Sequence, residues 1–171
     1  MNWADDGYVL RARKHGENAL IVTLLTAGHG RHAGLVRGGT GRRARGIYQT
    51  GNRVRAAWRA RLDEHLGSYA CELVHAHAAR LLNDPPRLAA LSAAAAVIEM
   101  ALPEREPHPA LFEGFAGWIS TLVADGDWLA GYVRWELALL GELGFGLDLS
   151  ACAATGLNDE LVFVSPKSGR A

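Results

Sequence analysis

Arginine is concentrated in one stretch of the chain. Between residues 18 and 62 there are nine arginines and no Asp or Glu that could offset them. Over residues 53–62, arginines stand at odd-numbered positions and apolar residues at even-numbered ones. The arginines are Arg53, Arg55, Arg59 and Arg61. The apolar residues are Val54, Ala56, Trp58, Ala60 and Leu62. Successive side chains of a strand point to opposite faces, so this pattern predicts a strand with one basic face. Because guanidinium groups bind phosphate oxygens in a bidentate manner, the face indicates a polyanion such as nucleic acid.

The residues before this strand predict a mobile basic loop. Residues 38–51 contain five glycines and the basic run RRAR at 42–45. Tyr48 lies in the same loop and is a candidate for stacking on bases, whereas the parity of Trp58 predicts a core residue. The candidate DNA-binding residues are Arg31, Arg37, Arg42, Arg43, Arg45, Tyr48, Arg53, Arg55, Arg59 and Arg61.

Motifs for catalysis, cofactors or metals are weak. GHGRHA at residues 28–33 has the spacing of a dinucleotide-binding turn, but further glycines follow where a helix should begin, and the next acid is Asp63. The chain has no Cys-x-x-Cys pair, and Thr155 stands where a second knuckle ligand would follow Cys152. His75 and His77 supply only two of the four ligands that a structural zinc needs. We therefore predict no metal, no cofactor and no enzymatic activity.

Opposite charges divide the chain into two halves. Residues 1–80 contain 13 Lys+Arg and 6 Asp+Glu, whereas residues 81–171 contain 5 and 12. This asymmetry predicts a nucleic-acid-binding domain over 1–80 and a separate domain over 81–171. The acidic N-terminus MNWADDGYVL is unlike a secretory signal, no apolar run approaches a membrane span, and two cysteines cannot form a disulfide scaffold. We expect a cytoplasmic protein without a membrane partner.

Two hydrophobic periods follow one another along the sequence. Period-two and β-rich runs predict five strands over 8–14, 19–25, 32–37, 52–62 and 69–74. On the first strand, Val9, Arg11 and Arg13 are expected to share a face. Five short antiparallel strands without crossover helices predict a small OB-fold barrel.

Helical periodicity begins after the Pro85-Pro86 pair. Apolar steps of three and four predict three helices, with a linker over 103–109, and the third helix capped by Asp127 and ended by Gly144. Residues from 148 onward are expected to form an irregular, knuckle-like segment with one strand over 160–164. The predicted fold class is therefore α+β: a five-stranded barrel followed by an all-α domain.

Several short segments in a fixed order carry a resemblance to a known family. They are GYVLR at 7–11, ENALIVTLLT at 17–26, HGR at 29–31, GLVRG at 34–38, WEL at 135–137, GFGLDL at 144–149, Cys152, and VSPKSG at 164–169. In order and spacing they resemble the RecO family of bacterial recombination mediators, over nearly the whole chain.

This resemblance implies an N-terminal OB-fold, a helical domain and no cofactor turnover. It implies binding to single- and double-stranded DNA, annealing of complementary strands, and RecA loading with RecR and single-strand-binding protein. Some family members carry a four-cysteine zinc knuckle after the Gly-Leu-Asp-Leu segment. Only Cys152 of that set is present here, so we expect no zinc. Family chains usually continue beyond the Ser-Pro-Lys-Ser-Gly segment.

Two other functions fit a basic barrel. One is an RNA-binding OB-fold protein, and the other is an adaptor whose basic face binds an acidic protein tail. The helical half also predicts a surface for protein docking, because more than one of its helix faces is apolar and part of that surface is expected to stay exposed as a pocket, although each aromatic residue alone is expected in the core. Six aromatic residues fall within 24 positions. These are Phe112, Phe115, Trp118, Trp128, Tyr132 and Trp135.

Overall fold

The computed structural model describes residues 1–124, 126–159 and 161–171. The strands are β1 (Asn2–His15), β2 (Ala19–Thr26), β3 (Gly30–Arg37), β4 (Arg53–Arg59) and β5 (Ser68–His75). The helices are α1 (Arg42–Ile47), α2 (His77–Arg80), α3 (Pro85–Ala101), α4 (Pro109–Val123) and α5 (Trp128–Glu142). The predicted α+β class is confirmed.

The five strands close into a barrel in the order β1-β2-β3-β5-β4. Neighbouring strands are antiparallel except β3 and β5, which meet in parallel at Leu35 and Ser68. Alternate side chains fill the interior, among them Val9, Val22 and Trp58. The expected OB-fold barrel is therefore confirmed.

Strand β4 shows how the sequence pattern becomes a barrel wall. Val54 and Trp58 are buried inside the barrel, whereas Arg55 and Arg59 are exposed outside it. The indole Nε1 of Trp58 donates a hydrogen bond to the Leu66 carbonyl oxygen at 3.0 Å, so the polar end of this buried ring is satisfied. The prediction that Trp58 is a core residue is confirmed.

Strand β1 departs from simple alternation at Leu10. Val9 pairs with Leu24 and Arg11 pairs with Thr23, so Leu10 is an extra residue in a β-bulge. Val9 packs in the barrel interior, Leu10 packs against the helices, and Arg11 is exposed. The prediction that Val9 and Arg11 share a face is wrong, because one inserted residue reverses the alternation.

The extents of several predicted strands also differ from the structure. Strand β1 begins at Asn2 rather than at residue 8, because its first half pairs with β4, with Asn2 opposite Arg59. Strand β4 ends at Arg59, so Arg61 lies in the following loop. Residues 161–164 form no strand, and Glu160, the first residue of the strand predicted there, lies outside the described residues.

Helix α5 begins and ends as its capping residues predict. The side chain of Asp127 accepts a hydrogen bond from the backbone N–H of Ala130 at 3.1 Å and starts α5. Gly144, with a φ of 81°, follows the last residues of this helix in the left-handed region that favours glycine. Within the described part of the chain, no helix is long and apolar enough to cross a membrane.

One apolar core joins the barrel to the helices. The Tyr8 ring centroid lies 5.6 Å from that of Phe112 and 5.4 Å from that of Phe115. Leu10 and Leu25 of the barrel are buried in the same cluster. Four of the six aromatic residues of the helical half are core residues, as expected for each of them alone, because the helices and the barrel cover one another: Phe112, Phe115, Trp118 and Trp135.

The linker between α3 and α4, residues 102–108, is tied to the barrel. The Nε of Arg31 donates to the Leu102 carbonyl oxygen at 2.8 Å, and the backbone N–H of Arg105 donates to the Arg31 carbonyl oxygen at 2.8 Å. The Arg105 guanidinium also donates to backbone carbonyls of the β4–β5 loop, including that of Asp63. These bonds fix how the linker lies against the barrel surface.

Candidate nucleic-acid interface

The outer face of β1, β2 and β3 has an uncharged centre between arginines. Strand register places Arg13 beside Ile21, and Arg11 beside Thr23. Farther across the sheet, Ile21 and Thr23 are flanked by Leu35 and Ala33. We call this surface the groove: its walls are Arg11 and Arg13 on β1 and Arg31 and Arg37 on β3, and its floor is Ile21, Thr23, Ala33 and Leu35. A cavity of about 380 Å³ lies over most of the groove, and it is also lined by Glu64 and Leu66 of the β4–β5 loop, Glu99 of α3, and Glu104 and Arg105 of the linker.

Two of the groove arginines are paired with acids of the helical half. Arg11 lies 3.5 Å from the Glu99 carboxylate of α3, and Arg31 lies 3.2 Å from the Glu104 carboxylate of the linker. Arg31 is the more enclosed, with 17% of its side chain exposed, and it also binds the Leu102 carbonyl. The candidate residue Arg31 therefore holds the linker in place in this structure.

The other two groove arginines point to solvent. Arg13 and Arg37 are exposed, and neither forms an ion pair with any acid among the described residues. Arg11 and Arg13 were missed as candidates because they precede the acid-free stretch and were assigned to the same face as Val9. Their two-residue spacing on a strand was the available signal.

The β4 stripe, which we define as Arg53, Arg55 and Arg59, faces outward as predicted but is partly neutralised. Asp6 of β1 lies 2.7 Å from the guanidinium of Arg53 and 3.0 Å from that of Arg55. Glu72 of β5 stands opposite Arg55 on the other side. Burial acts to raise the pKa of Asp6, but hydrogen bonds from Arg55 and Arg53 outweigh it and leave the pKa below its usual value. The expectation that no acid offsets the stripe is wrong, because the barrel brings Asp6 in from outside the acid-free stretch.

The expected mobile loop forms the short helix α1. Its exposed arginines are Arg42, Arg43 and Arg45, and the last donates to the Thr40 carbonyl oxygen at 3.2 Å. Ile47, at its end, packs against the barrel core, which gives the segment an apolar side. Tyr48 is 8% exposed and packs in the same core, so the prediction that it stacks on bases from a loop is wrong in this conformation.

The described residues contain no group of three or more His, Cys, Asp or Glu side chains arranged to hold a metal ion. The rings of His75 and His77 lie 5.5 Å apart, and burial lowers the pKa of His77 to about 4, so that this ring is neutral at physiological pH. Burial raises the pKa of the Cys71 thiol to about 11. At neutral pH Cys71 is therefore a protonated thiol, which is a weak nucleophile.

Comparison with known proteins covers both halves of the chain. Residues 1–77 match the family described as Recombination protein O N terminal, and residues 82–171 match Recombination protein O C terminal. The chain is similar over its full length to proteins named DNA repair protein RecO. It is 57% identical to that of Rhodospirillum centenum and 54% identical to that of Methylobacterium nodulans, in each case over 69% of the relative's length. A third, from Phenylobacterium zucineum, is 53% identical over 70% of its length. The chain therefore belongs to the RecO family.

Proposed function

We propose that this protein is a non-enzymatic, DNA-binding recombination mediator that acts in DNA repair. In this role it binds single- and double-stranded DNA, anneals complementary strands and assists RecA loading together with RecR and single-strand-binding protein. Its similarity to proteins named for DNA repair supports the role, and its own arginines support the contact with DNA.

The groove is the observation that carries the proposal. In OB-folds, oligonucleotides bind across the face of strands 2 and 3, between the loops that join strands 1–2 and 4–5. Here that face has arginines along both walls and an apolar or small floor, with the β4–β5 loop at its side. Phosphates can lie along the walls while sugars and bases pass over the uncharged floor.

The β4 stripe supports a second contact with DNA. In the barrel order, β1 separates β4 from β2, so the stripe and the groove floor do not lie on adjacent strands. Arg55 keeps 56% of its side chain exposed despite its bond to Asp6, and Arg59 has no acid partner among the described residues. Two separated basic surfaces suit annealing, which requires two strands to be held at once.

A salt series tests the proposal. We expect the logarithm of affinity for labelled single-stranded DNA to fall against the logarithm of salt concentration with a slope of roughly −3 or steeper if four or more phosphates are contacted. The double variant Arg11→Glu, Arg13→Glu should make this slope shallower by roughly 1.4, because two phosphate contacts are lost. The double variant Arg134→Glu, Lys167→Glu reverses two exposed charges outside the barrel, so it is the charge-matched control and should leave the slope unchanged.

Parallel assays separate the alternatives. RNA of equal length and sequence should bind more weakly than DNA, and preference for RNA would favour an RNA-binding protein. A flat salt response, combined with tight binding to an acidic peptide after nuclease treatment, would favour an adaptor instead. Reversal of Arg55 and Arg59 to Glu should reduce annealing more than single-strand binding, since the groove remains intact.

A further inference from the structure

A second cavity opens at one end of the barrel, next to the groove. It has a volume of about 360 Å³ and is lined by Trp3, Gly28, His29, His32, Trp58, Asp63 and Arg105. We propose that this cavity binds an unpaired nucleobase of the DNA strand that follows the groove. The inference rests on the proposed function and adds a stacking site for a base to the phosphate contacts of the arginines.

Three aromatic rings, which we call the ring stack, lie one on another in the wall of the cavity: His29, Trp3 and Trp58. The ring centroids of Trp3 and His29 are 4.0 Å apart with 10° between their planes. Trp58 stacks on the other side of Trp3, and these two ring centroids are 5.7 Å apart with 19° between their planes. The inner member, Trp58, is buried, whereas His29 at the outer end keeps 37% of its side chain exposed. In the described residues Trp3 is the only ring that stacks on His29, and we infer that a base stacks on the imidazole where this side chain is exposed.

The outer ring is held in place before any ligand arrives. The Asp5 carboxylate lies 3.1 Å from His29 Nδ1 and accepts a hydrogen bond from the Gly28 backbone N–H at 2.7 Å. The hydroxyl of Thr26 accepts a hydrogen bond from the His29 backbone N–H at 3.1 Å. A ring fixed in this way loses little conformational freedom when a base stacks on it.

Polar groups at the cavity complement a base edge, which presents both donors and acceptors. Asp63 supplies acceptor oxygens, and Arg105 supplies the guanidinium N–H groups that its two bonds to loop carbonyls leave unused. Arg105 also lines the groove cavity, so the two cavities share one side chain as a common boundary. A DNA strand whose phosphates lie along Arg11 and Arg13 would therefore pass Arg105 before it reaches the ring stack.

The test compares a normal oligonucleotide with one of equal length that carries abasic sites, because both present the same phosphates. We expect the intact protein to bind the normal strand roughly 5-fold or more tightly, which is the lower end of a base–aromatic stack. His29→Ala should lose most of this difference, and His29→Phe, which keeps a flat ring, should restore it. His75→Ala, the same change at an exposed histidine on β5, should behave like the unaltered protein.

A second measurement needs no variant. Stacking of a base on His29 should shift the proton resonances of its imidazole ring upfield in NMR spectra when the normal strand binds, and the abasic strand should shift them much less at equal saturation. If His29→Ala discriminates between the strands as well as the unaltered protein does, or if the two strands shift the His29 resonances equally, the base site is wrong while DNA binding stands. Failure of the unaltered protein to bind either strand would instead overturn the proposed function. Binding of an aromatic peptide that depends on His29, without strand discrimination, would assign the cavity to a protein partner and overturn the inference.

Discussion

At the scale of single residues, arginines that look alike in the sequence have different surroundings in the structure, and we expect them to have different roles. Arg31 is enclosed by the Leu102 carbonyl and Glu104, whereas Arg13 is exposed on the same face of the barrel. The first is in a position to stabilise the fold, and the second is in a position to meet phosphate. Sequence alone did not separate them, because the partners of Arg31 are more than 70 positions away in the chain.

Substitution of these two arginines by alanine should separate the roles. Arg31→Ala should lower the free energy of unfolding by about 1–2 kcal/mol, since it removes a charged donor from a backbone carbonyl. Arg13→Ala should change stability by less than about 0.5 kcal/mol but make the salt slope for single-stranded DNA shallower by roughly 0.7. Urea unfolding and a binding salt series measure the two effects. Equal stability of both variants would contradict the structural role of Arg31.

His32 should make stability depend on pH. Burial lowers the pKa of this ring to about 4, with the nearby Arg105 acting in the same direction, against an ordinary value of 6.5. The folded protein thus holds His32 neutral and hydrogen-bonded to the Tyr69 hydroxyl at 2.9 Å. Because the folded-state pKa is depressed, this contribution is complete above pH 6.5 and is lost progressively as the pH falls towards 4.

The measurement is the free energy of unfolding across that pH window. The unaltered protein should lose on the order of 3 kcal/mol at this site between pH 6.5 and 4. His32→Gln should show a flatter profile. A residual slope is expected in that variant, because burial also lowers the pKa of His77 to about 4. Identical profiles for the two proteins would contradict this role for His32.

At the scale of elements, local patterns could be read from the sequence and contacts between distant elements could not. The alternation of Val54 and Trp58 with arginines predicted β4 correctly because each residue's face follows from its immediate neighbours. The bulge at Leu10 depends on how β1 pairs with β2. The burial of the Tyr48 side chain depends on how α1 packs against the barrel. The Asp6 bridge to Arg53 joins strands 47 residues apart, so no count within one stretch of sequence could reveal it.

Helix α3 and the linker place two acids where DNA is expected to bind. Glu99 forms an ion pair with Arg11 of the groove, and Glu104 forms one with Arg31. Phosphates must therefore compete with these carboxylates for the two guanidinium groups. The double variant Glu99→Gln, Glu104→Gln keeps the side-chain size and removes the charge. We expect it to bind single-stranded DNA roughly 2- to 10-fold more tightly at low salt, as two exposed ion pairs of modest strength would allow. The gain should shrink as salt rises.

The double variant Glu113→Gln, Asp159→Asn is the charge-matched control for this experiment, because it also removes two exposed acids, and both lie outside the groove. It should increase affinity much less, since it changes only the net charge. Equal gains in both proteins would show that net charge, rather than occupation of the groove arginines, controls affinity. Fluorescence anisotropy at two salt concentrations is sufficient to distinguish these results.

At the scale of the whole molecule, the two oppositely charged halves of the chain partly neutralise each other through ion pairs. The acidic helical half supplies Glu99 and Glu104 to the basic barrel, so part of the barrel's positive charge is met within the chain. Among the groove arginines, Arg13 and Arg37 have no such partner in the described residues and remain available to an external polyanion. The sequence count correctly identified the basic half but could not show which of its arginines remain available.

The barrel and the helices should unfold together because they share a core. Tyr8 is 3% exposed and packs on Phe112 and Phe115, and Leu10 and Leu25 join the same cluster. Tyr8→Ala should lower the free energy of unfolding by about 3 kcal/mol or more, the usual cost of removing a buried aromatic ring. Leu82→Ala, at a residue that is 63% exposed, should cost less than about 0.5 kcal/mol.

Hydrogen exchange under increasing denaturant measures whether the loss is shared. Amides of β4, within the barrel, and of α4, within the helical half, should lose protection at the same denaturant concentration, and Tyr8→Ala should move both to lower concentration by equal amounts. The reason is that Tyr8 lies on a barrel strand but packs on α4, so its removal weakens both sides of one interface. If β4 stayed protected after α4 had exchanged, the barrel would be an independent folding unit, and the continuous core would not control its stability.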